Sequence, residues 1–507
     1  MRRGIEELSN DKFDVLVVGG GIQGIAILYT LTQQGIKAGL IERDDFASGT
    51  SANSLRVIHG GLRYLQTGDL GRMRRSIKAR RQFMQLAPSL VRPQGFLIPT
   101  SKRGLLNPAL MRVALFLNDL ISSDRNQGLA STNRLPPGKI LPNCDFVRPF
   151  SGSVEKSFQS GALWFDSLIH DAGRFSIELI KSAQRDGAVV CNYVRAEKYL
   201  RRQGKVCGVE AIDRESGDPF SITAKVVVEV AGAGRAKLNN NTTGDFDRTR
   251  RTWLKATNLV LSKTLNSDHA IGLSGIQKGS QDNNSLVQQS RYFFFVPYSG
   301  CTLFGTFYSV LEEIPDDLSV TQEEIDSMLA QAQLLCPEEN LTLNDVKMSH
   351  VGVVPAGIGS AEKFFTIEKR SSINTETLDG FEGLISVQGV KYTESFQVAD
   401  EVSRVVGSRL GHRYRQLKPC AVVGLETCLT TSIADLARRA VHDEMAVHLT
   451  DFILRRTTLG EVGCPDRRLV QDYAVAMASE ADWSAKRIDS EVTELYKYYE
   501  SRGVRET

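Results

Sequence analysis

Apolar positions near the start of the chain change period twice within a short span. Val15–Val18 is a continuous apolar run, as expected for a parallel strand covered on both faces. Ile22, Ile25, Ala26 and Tyr29 then recur at helical spacing until Gly35 ends the helix. A second apolar run, Ala38–Ile41, closes on Glu42. Between the first strand and the helix, Gly19, Gly21 and Gly24 spell G-x-G-x-x-G. Such glycines permit a tight turn and close backbone approach, and the helix N-terminus at Ile22 faces a pyrophosphate. The carboxylate of Glu42, with Arg43 beside it, is placed to meet adenosine ribose hydroxyls, and an acid there disfavours a 2'-phosphate.

The segment after Glu42, "RDDFASGTSANSLRVIHGG", is rich in Ser, Thr and Gly and does not read as the helix of a plain dinucleotide fold. The hydroxyls of Ser48, Thr50, Ser51 and Ser54 suit the pyrophosphate and ribityl chain of an extended flavin, which favours FAD over NAD. The loop ends in His59-Gly60-Gly61, expected to border the flavin ring, and continues into Arg63 and Tyr64, expected to reach the substrate. A strand into Asn192-Tyr193-Val194, an antiparallel run and the apolar strand Val226–Val230 return to the same domain. The last of these ends in Ala231-Gly232-Ala233-Gly234, where small residues admit the cofactor. "FEGLISVQGVKYTESFQVADEVSRVV" reads as a strand, a turn at Gly389 and a helix from near Thr393. Lys391, Tyr392 and Thr393 then sit at a positive helix end suited to the flavin N1–C2=O locus, which becomes anionic on reduction.

These patterns predict an α/β protein with a Rossmann-like FAD-binding domain in segments of about 12–70, 155–240 and 375–415. A mixed-sheet α+β substrate domain fills about 75–150 and 245–370, including the strand Phe293–Val296, and a helical domain covers 420–507. The chain has 507 residues, a net charge of +3 and an ordinary 24% of charged residues, which does not suggest a nucleic-acid partner. Its eight cysteines are scattered without metal-ligand spacing and read as reduced thiols of a cytoplasmic protein. No apolar run approaches the roughly eighteen residues of a membrane span. A basic helix over 69–86, with Met73, Ile77 and Met84 on one side, is a candidate for peripheral contact with the inner face of a membrane.

In "VVGGGIQG", "TSANS…IHGGLRYL", "RYFFFVPY…LFGT" and "SVQGVKYT", taken in order, the chain resembles the FAD-dependent glycerol-3-phosphate dehydrogenases of the D-amino-acid-oxidase-like superfamily. "ARRAVHDEMAVHLTDFILRRTTLG" resembles that family's C-terminal helical domain. The resemblance implies hydride transfer from the secondary alcohol carbon of a polyol or polyol phosphate to flavin N5, with electrons leaving to a quinone or to oxygen. It also implies substrate contacts for Arg63, Tyr64 and Arg370, and a flavin- and substrate-proximal place for Lys391 and Thr393. Four positions depart from the family's pattern. Val354 stands where G-V-R-P has an arginine, Asn258 where K-G-x-H has a histidine, and Phe307-Tyr308 where G-T-T-D ends in a carboxylate; Gly389-Val390-Lys391 replaces Gly-Gly-Lys. Valine cannot reproduce a bidentate guanidinium contact to phosphate.

Hydride transfer requires a C–H held close to N5, a base for the hydroxyl proton and stabilisation of the reduced flavin. His59 is the first candidate base, since a histidine is neutral near pH 7. His350 is the second and Tyr308 the third, the latter on condition of a lowered pKa. The departures at Val354, Phe307 and Tyr308 leave open an unphosphorylated substrate, such as a cyclitol, a sugar, an amine or a biosynthetic tailoring intermediate. A flavin-binding protein without turnover is the reading from another class.

Overall fold

The computed structural model describes residues 1, 3–101, 104–142, 160–234, 252–266, 268–277, 289–358, 365–375, 381–416, 419–422 and 432–504. The first sheet is assembled from distant segments. Lys12–Val18 lies parallel to Ala38–Ile41 on one side and to Pro219–Glu229 on the other, and Pro219–Glu229 lies parallel to Leu384–Gln388. Val189–Cys191 closes one edge beside Ala38–Ile41, and the hairpin Val194–Arg202/Lys205–Asp213 extends Pro219–Glu229 antiparallel. Helices Ile22–Gln33, Ala172–Arg185 and Ser395–Leu410 cover one face, with Ile25, Leu28, Phe175, Ile180, Phe396 and Val402 fully buried.

The second sheet is mixed and runs in the order Phe365–Ile367, Val346–Ile358, Trp253–Leu261, Cys301–Leu311, Gln289–Tyr298, His269–Gln277, Val91–Pro99, Ser160–Ile169, Val57–Ile58. Among the described residues, only His269–Gln277 and Val91–Pro99 pair in parallel within it. Here two expectations are corrected. Ser160–Ile169, placed by its sequence position in the FAD domain, is a central strand of this second sheet; an apolar strand reads the same in either sheet. The helix expected over 69–86 forms at Leu70–Leu86, but Met73, Ile77, Phe83 and Met84 are all buried inside the protein, so its apolar stripe is core and cannot meet a membrane.

Helix Gln322–Leu335 covers one face of the mixed sheet, where its Ile325, Met328 and Ala332 join Phe293, Phe295, Phe304 and Phe307. The other face is closed by the C-terminal helices Arg467–Ala481 and Ala485–Glu500, through Val470, Met477, Leu495 and Tyr499.

A buried ionic knot ties this C-terminal part to the first sheet. Asp45, three residues beyond Glu42, accepts Arg455 Nε at 2.5 Å and Arg456 Nη1 and Nη2 at 2.6 and 2.8 Å. Arg455 Nη2 also reaches Asp451 at 2.7 Å, which accepts the Tyr193 hydroxyl at 2.6 Å. Burial alone would raise the Asp45 carboxyl, but the Arg456 and Arg455 guanidiniums overcome it and hold that carboxyl well below the usual carboxylate range. A carboxylate depressed in the folded state contributes stability above its unfolded pKa of about 3.9, and that contribution is lost as pH falls towards the folded value. Thermal unfolding should therefore show wild-type Tm falling below about pH 4. Asp45→Asn should cost about 3–5 kcal/mol at neutral pH, by removing the buried counter-charge of Arg456 and leaving Arg455 with Asp451 alone, and flatten that acid dependence.

Candidate active site and flavin cradle

At the end of the first strand, Gly19 has φ +116°, and a Cβ there would lie 2.6 Å from the Val230 carbonyl. A Cβ on Gly24 would lie 1.9 Å from the Gly19 carbonyl, so helix and strand meet at a distance only glycine allows. Gly21 is the cap of helix Ile22–Gln33, whose Ile22 N–H donates to Ser51 Oγ at 2.9 Å. Glu42 accepts the N–H groups of Gly20 at 2.5 Å and Asp44 at 2.9 Å, and burial raises its carboxyl. Val194 N–H donates to the Glu42 carbonyl, Ala231 follows Val230, which is bound to Val18, and Gly232 adopts φ +53°. Across the cradle, a Cβ on Gly389 would strike the Gln23 side chain, whose amide donates to the Lys391 carbonyl at 2.9 Å while its Oε1 is buried with no hydrogen-bond partner among the described residues. A glycine turn under a helix N-terminus, an acid on the second strand and an orphaned buried amide oxygen together fit the diphosphate and polar edges of FAD.

Several predicted cofactor residues are otherwise engaged. Thr50 bridges to the mixed sheet, its Oγ1 donating to the Val353 carbonyl and accepting the Val353 N–H, both at 2.9 Å. Ser54 Oγ accepts the Arg56 N–H at 3.3 Å, and Arg43 pairs with Asp44 at 2.9 Å. The Tyr392 ring packs 5.7 Å from Phe83 in the core, and Thr393 is buried at the start of helix Ser395–Leu410.

The loop His59–Tyr64 is fixed from behind by one buried carboxylate. Asp166 accepts the Gly60 N–H at 2.5 Å, the Trp164 indole N–H at 3.1 Å and the Arg80 guanidinium. A Cβ on Gly60 would sit 2.3 Å from Arg80 Nη1, and Gly61 turns the chain with φ +82°. This turn presents Tyr64 to the site. Lys391 Nζ donates to the Tyr64 hydroxyl, the Arg72 guanidinium lies 4.5 Å over its ring, and the His59 ring is 6.2 Å away. Lys391 also faces Glu394 at 3.6 Å; Arg370 is exposed, 3.6 Å from Asp69 on the helix cap that precedes Arg72. His59, Tyr64 and Lys391 thus meet at this loop, whereas Arg370 stays outside it at the cap of the following helix.

Burial, and then the charges of Lys391, Arg80 and Arg72, lower the His59 pKa to about 3, so the ring is neutral over the physiological range. His350 belongs elsewhere. Its Nε2 meets the Glu461 carbonyl at 2.7 Å, and its neighbours Arg56 and Arg502 form a separate buried cluster. Tyr308 fails the condition set for a base: burial raises its pKa. Phe307 packs 4.7 Å from Phe293 in the aromatic core on the far face of the sheet, so its apolar character serves that core. Asn258 accepts Thr306 Oγ1 at 2.7 Å and donates to the Asn53 carbonyl at 3.5 Å, a link between the sheet and the flavin loop.

Arg72, Arg80, Asp166 and Gln23 are additions to the residues read from sequence. Two of them carried a signal: Arg80 shares the helix face of Met73, Ile77 and Met84, and Asp166 is the one acid within the apolar run 160–169.

A family model described as FAD dependent oxidoreductase (DAO) matches residues 14–392. The chain belongs to this family. FAD is its cofactor. A glycerol-3-phosphate dehydrogenase of Synechocystis sp. is 28% identical over 427 residues, covering 82% of this chain and 73% of the relative. An alpha-glycerophosphate oxidase of Streptococcus pneumoniae is 29% identical over 425 residues, covering 82% of this chain and 66% of the relative. The FAD complex of a glycerol-3-phosphate dehydrogenase from Bacillus halodurans has the same fold, with a TM-score of 0.70 over 98% of this chain and 96% of that one, at 22% identity.

In this FAD-dependent oxidoreductase, Gly60→Ala should force Arg80 or the loop to move, costing about 1–3 kcal/mol. The expected result is a lower Tm and slower flavin reduction than wild type. Gly49→Ala, with nothing within 4 Å of the added carbon, should leave both unchanged.

Proposed function

We propose that this protein oxidises the secondary alcohol carbon of an anionic polyol, with glycerol 3-phosphate as the type substrate, to a ketone. Bound FAD supplies the hydride acceptor and the route by which electrons leave to a quinone or to oxygen. Glu42 and the Gly19–Gly24 turn hold its adenosine diphosphate part, and the positive end of helix Ser395–Leu410 with Lys391 favours the negative charge of the reduced ring. Tyr64 and Lys391 orient the alcohol; the burial and the cations that keep His59 neutral also oppose its protonation, so the ring is a hydrogen-bond partner for the hydroxyl and not the base first expected.

The observation that carries this reading is the convergence of Lys391 and Arg72 on Tyr64 beside a neutral His59. Such a site is cationic and offers a neutral imidazole as hydrogen-bond partner, which suits an anionic alcohol. Val354 favours the second reading, an unphosphorylated substrate, because it pairs with Leu254 across the sheet and brings no charge. Anaerobic mixing of the yellow holoprotein with a panel of alcohols separates the two. Bleaching by glycerol 3-phosphate or another polyol phosphate is expected. Bleaching by uncharged alcohols alone would establish the second reading, and a panel without bleaching would leave a flavin-binding protein without turnover.

A lipid-soluble acceptor suits a second surface. Helix Pro108–Ile121 buries Met111 and Leu115 but exposes Leu110, Val113, Phe116 (67% exposed), Leu117 and Leu120 (62%) on its outer side, with Leu105 just before it. It packs against the turn Leu62–Thr67 that carries Arg63 and Tyr64. This helix, in place of 69–86, is the surface proposed to rest on a membrane, with the substrate loop close behind it. Each such side chain contributes about 1.5–3 kcal/mol when buried, so Phe116→Glu or Leu120→Glu should weaken binding to lipid vesicles roughly tenfold or more. Flotation assays read that loss, while anaerobic flavin reduction should stay at the wild-type rate.

A further inference from the structure

The Tyr298 hydroxyl has one proton and two acceptors. It lies 2.6 Å from the His170 carbonyl and 2.5 Å from Glu461 Oε2, and Tyr298 and Glu461 are both buried. Burial holds the phenol well above its ordinary value, so it keeps its proton throughout the physiological range. With Glu461 ionised, that proton can serve only one of the two oxygens, and the other contact sets two buried acceptors against each other. With Glu461 protonated on Oε2, the carboxyl donates to the phenol and the phenol donates to His170. Both short contacts are then hydrogen bonds.

The surroundings of Glu461 oppose one another. Burial favours the neutral carboxyl, Arg56, 3.1 Å from Oε1, favours the ionised one, and Asp171 on the cap of helix Ala172–Arg185 sides with burial; the balance falls at about 7. His350 Nε2 meets the Glu461 carbonyl at 2.7 Å. Burial and the charges of Arg56 and Arg502 lower that imidazole to about 3, so it stays neutral while Glu461 titrates. His170 directly follows the strand Ser160–Ile169, which carries Asp166. The Ile169 N–H donates to the Arg56 carbonyl at 2.9 Å, just upstream of His59.

We propose that Glu461 is a proton-operated latch on the loop His59–Tyr64. In its neutral state the relay Glu461–Tyr298–His170 ties the end of the Asp166 strand to the turn before helix Arg467–Ala481. Loss of one proton to solvent turns the phenol to the carboxylate, frees the His170 carbonyl and loosens the strand from which Asp166 holds Gly60. Glu461 is thus a positioning residue, acting through Tyr298 and His170.

Infrared difference spectra of the holoprotein, wild type minus Glu461→Gln, test the proton directly. Below neutrality they should contain the carbonyl stretch of a neutral carboxylic acid, fading as pH rises through about 7. A carboxyl raised in the folded state contributes stability below its unfolded pKa of about 4.3 and loses it as pH climbs towards the folded value. Wild-type Tm should therefore fall across that window more than the Tm of E461Q, whose amide offers Tyr298 a donor at every pH. Deuterium exchange of backbone amides 56–66 reads the loop. About one pH unit above the transition, wild type should exchange roughly three- to tenfold faster than E461Q at the same pH, the effect of one buried hydrogen bond, and the two should match below it. Tyr298→Phe, without the relay proton, should exchange fast on both sides and carries the test if E461Q fails to fold. A difference spectrum lacking the acid band, or variants that keep the wild-type pH dependence of exchange, would overturn the latch. No substrate enters these measurements, so they stand or fall apart from the alcohol assigned to the site.

Discussion

The carboxylate of Asp166 is the constraint on which the reaction centre depends. It lies on a central strand of the mixed sheet, is shielded from water, and gathers Arg80, the Trp164 indole and the Gly60 amide at one point. A buried carboxylate is tolerated only when its oxygens are fully engaged, and here the partners reach it from a loop, a helix and its own strand. Through it, the loop that carries His59–Tyr64 is fastened to the mixed sheet. The glycine at 60 follows from this geometry. So does the orientation of Tyr64, since the turn at Gly61 begins from a fixed point.

A second layer of buried ionic pairs extends the same logic to the C-terminal helices. Arg56 Nη2 meets Glu461 at 3.1 Å, and the other oxygen of Glu461 accepts the Tyr298 hydroxyl at 2.5 Å. His350 completes that cluster through the Glu461 carbonyl, while Asp45 forms its own with Arg455 and Arg456. Burial pushes the Glu461 carboxyl up to about 7, against the opposing charge of Arg56. Both clusters sit beside loops of the candidate site, one near Glu42 and one near His59. The helical domain therefore serves the site by bracing its loops, without placing a side chain of its own at Tyr64 among the described contacts.

The parts of the fold legible in the sequence are those governed by local periodicity. The turn from Val18 to Gly24, the strand ending in Glu42 and the helix after Lys391 follow from short apolar patterns and glycine spacing. The grouping of polar residues at His59–Tyr64 is legible as a candidate site from residue types alone. What escaped were long-range pairings: Arg80 with Asp166, Asp45 with Arg455 and Arg456, and Arg56 with Glu461 all look like surface charges when taken one at a time. The side of the sheet faced by Phe307 depends on a break in register between Thr257 and Asn258, which no alternation pattern reveals. His350 is the clearest lesson, because a histidine on the right strand was drawn into the brace behind the site. The two amphipathic helices differ for a related reason: both 70–86 and 108–121 carry an apolar stripe, and only tertiary packing decides which stripe is covered.

The first sheet places Leu384–Gln388 beside Pro219–Glu229, itself beside Lys12–Val18. A nascent chain emerging from the ribosome can pair its opening strand with Ala38–Ile41 early, but Pro219–Glu229 lacks its neighbour Leu384–Gln388 until most of the polypeptide has been made. The nucleotide cradle lacks that side before then, so loading is expected late in synthesis, and a message truncated before Leu384 would yield a protein that retains its guest poorly.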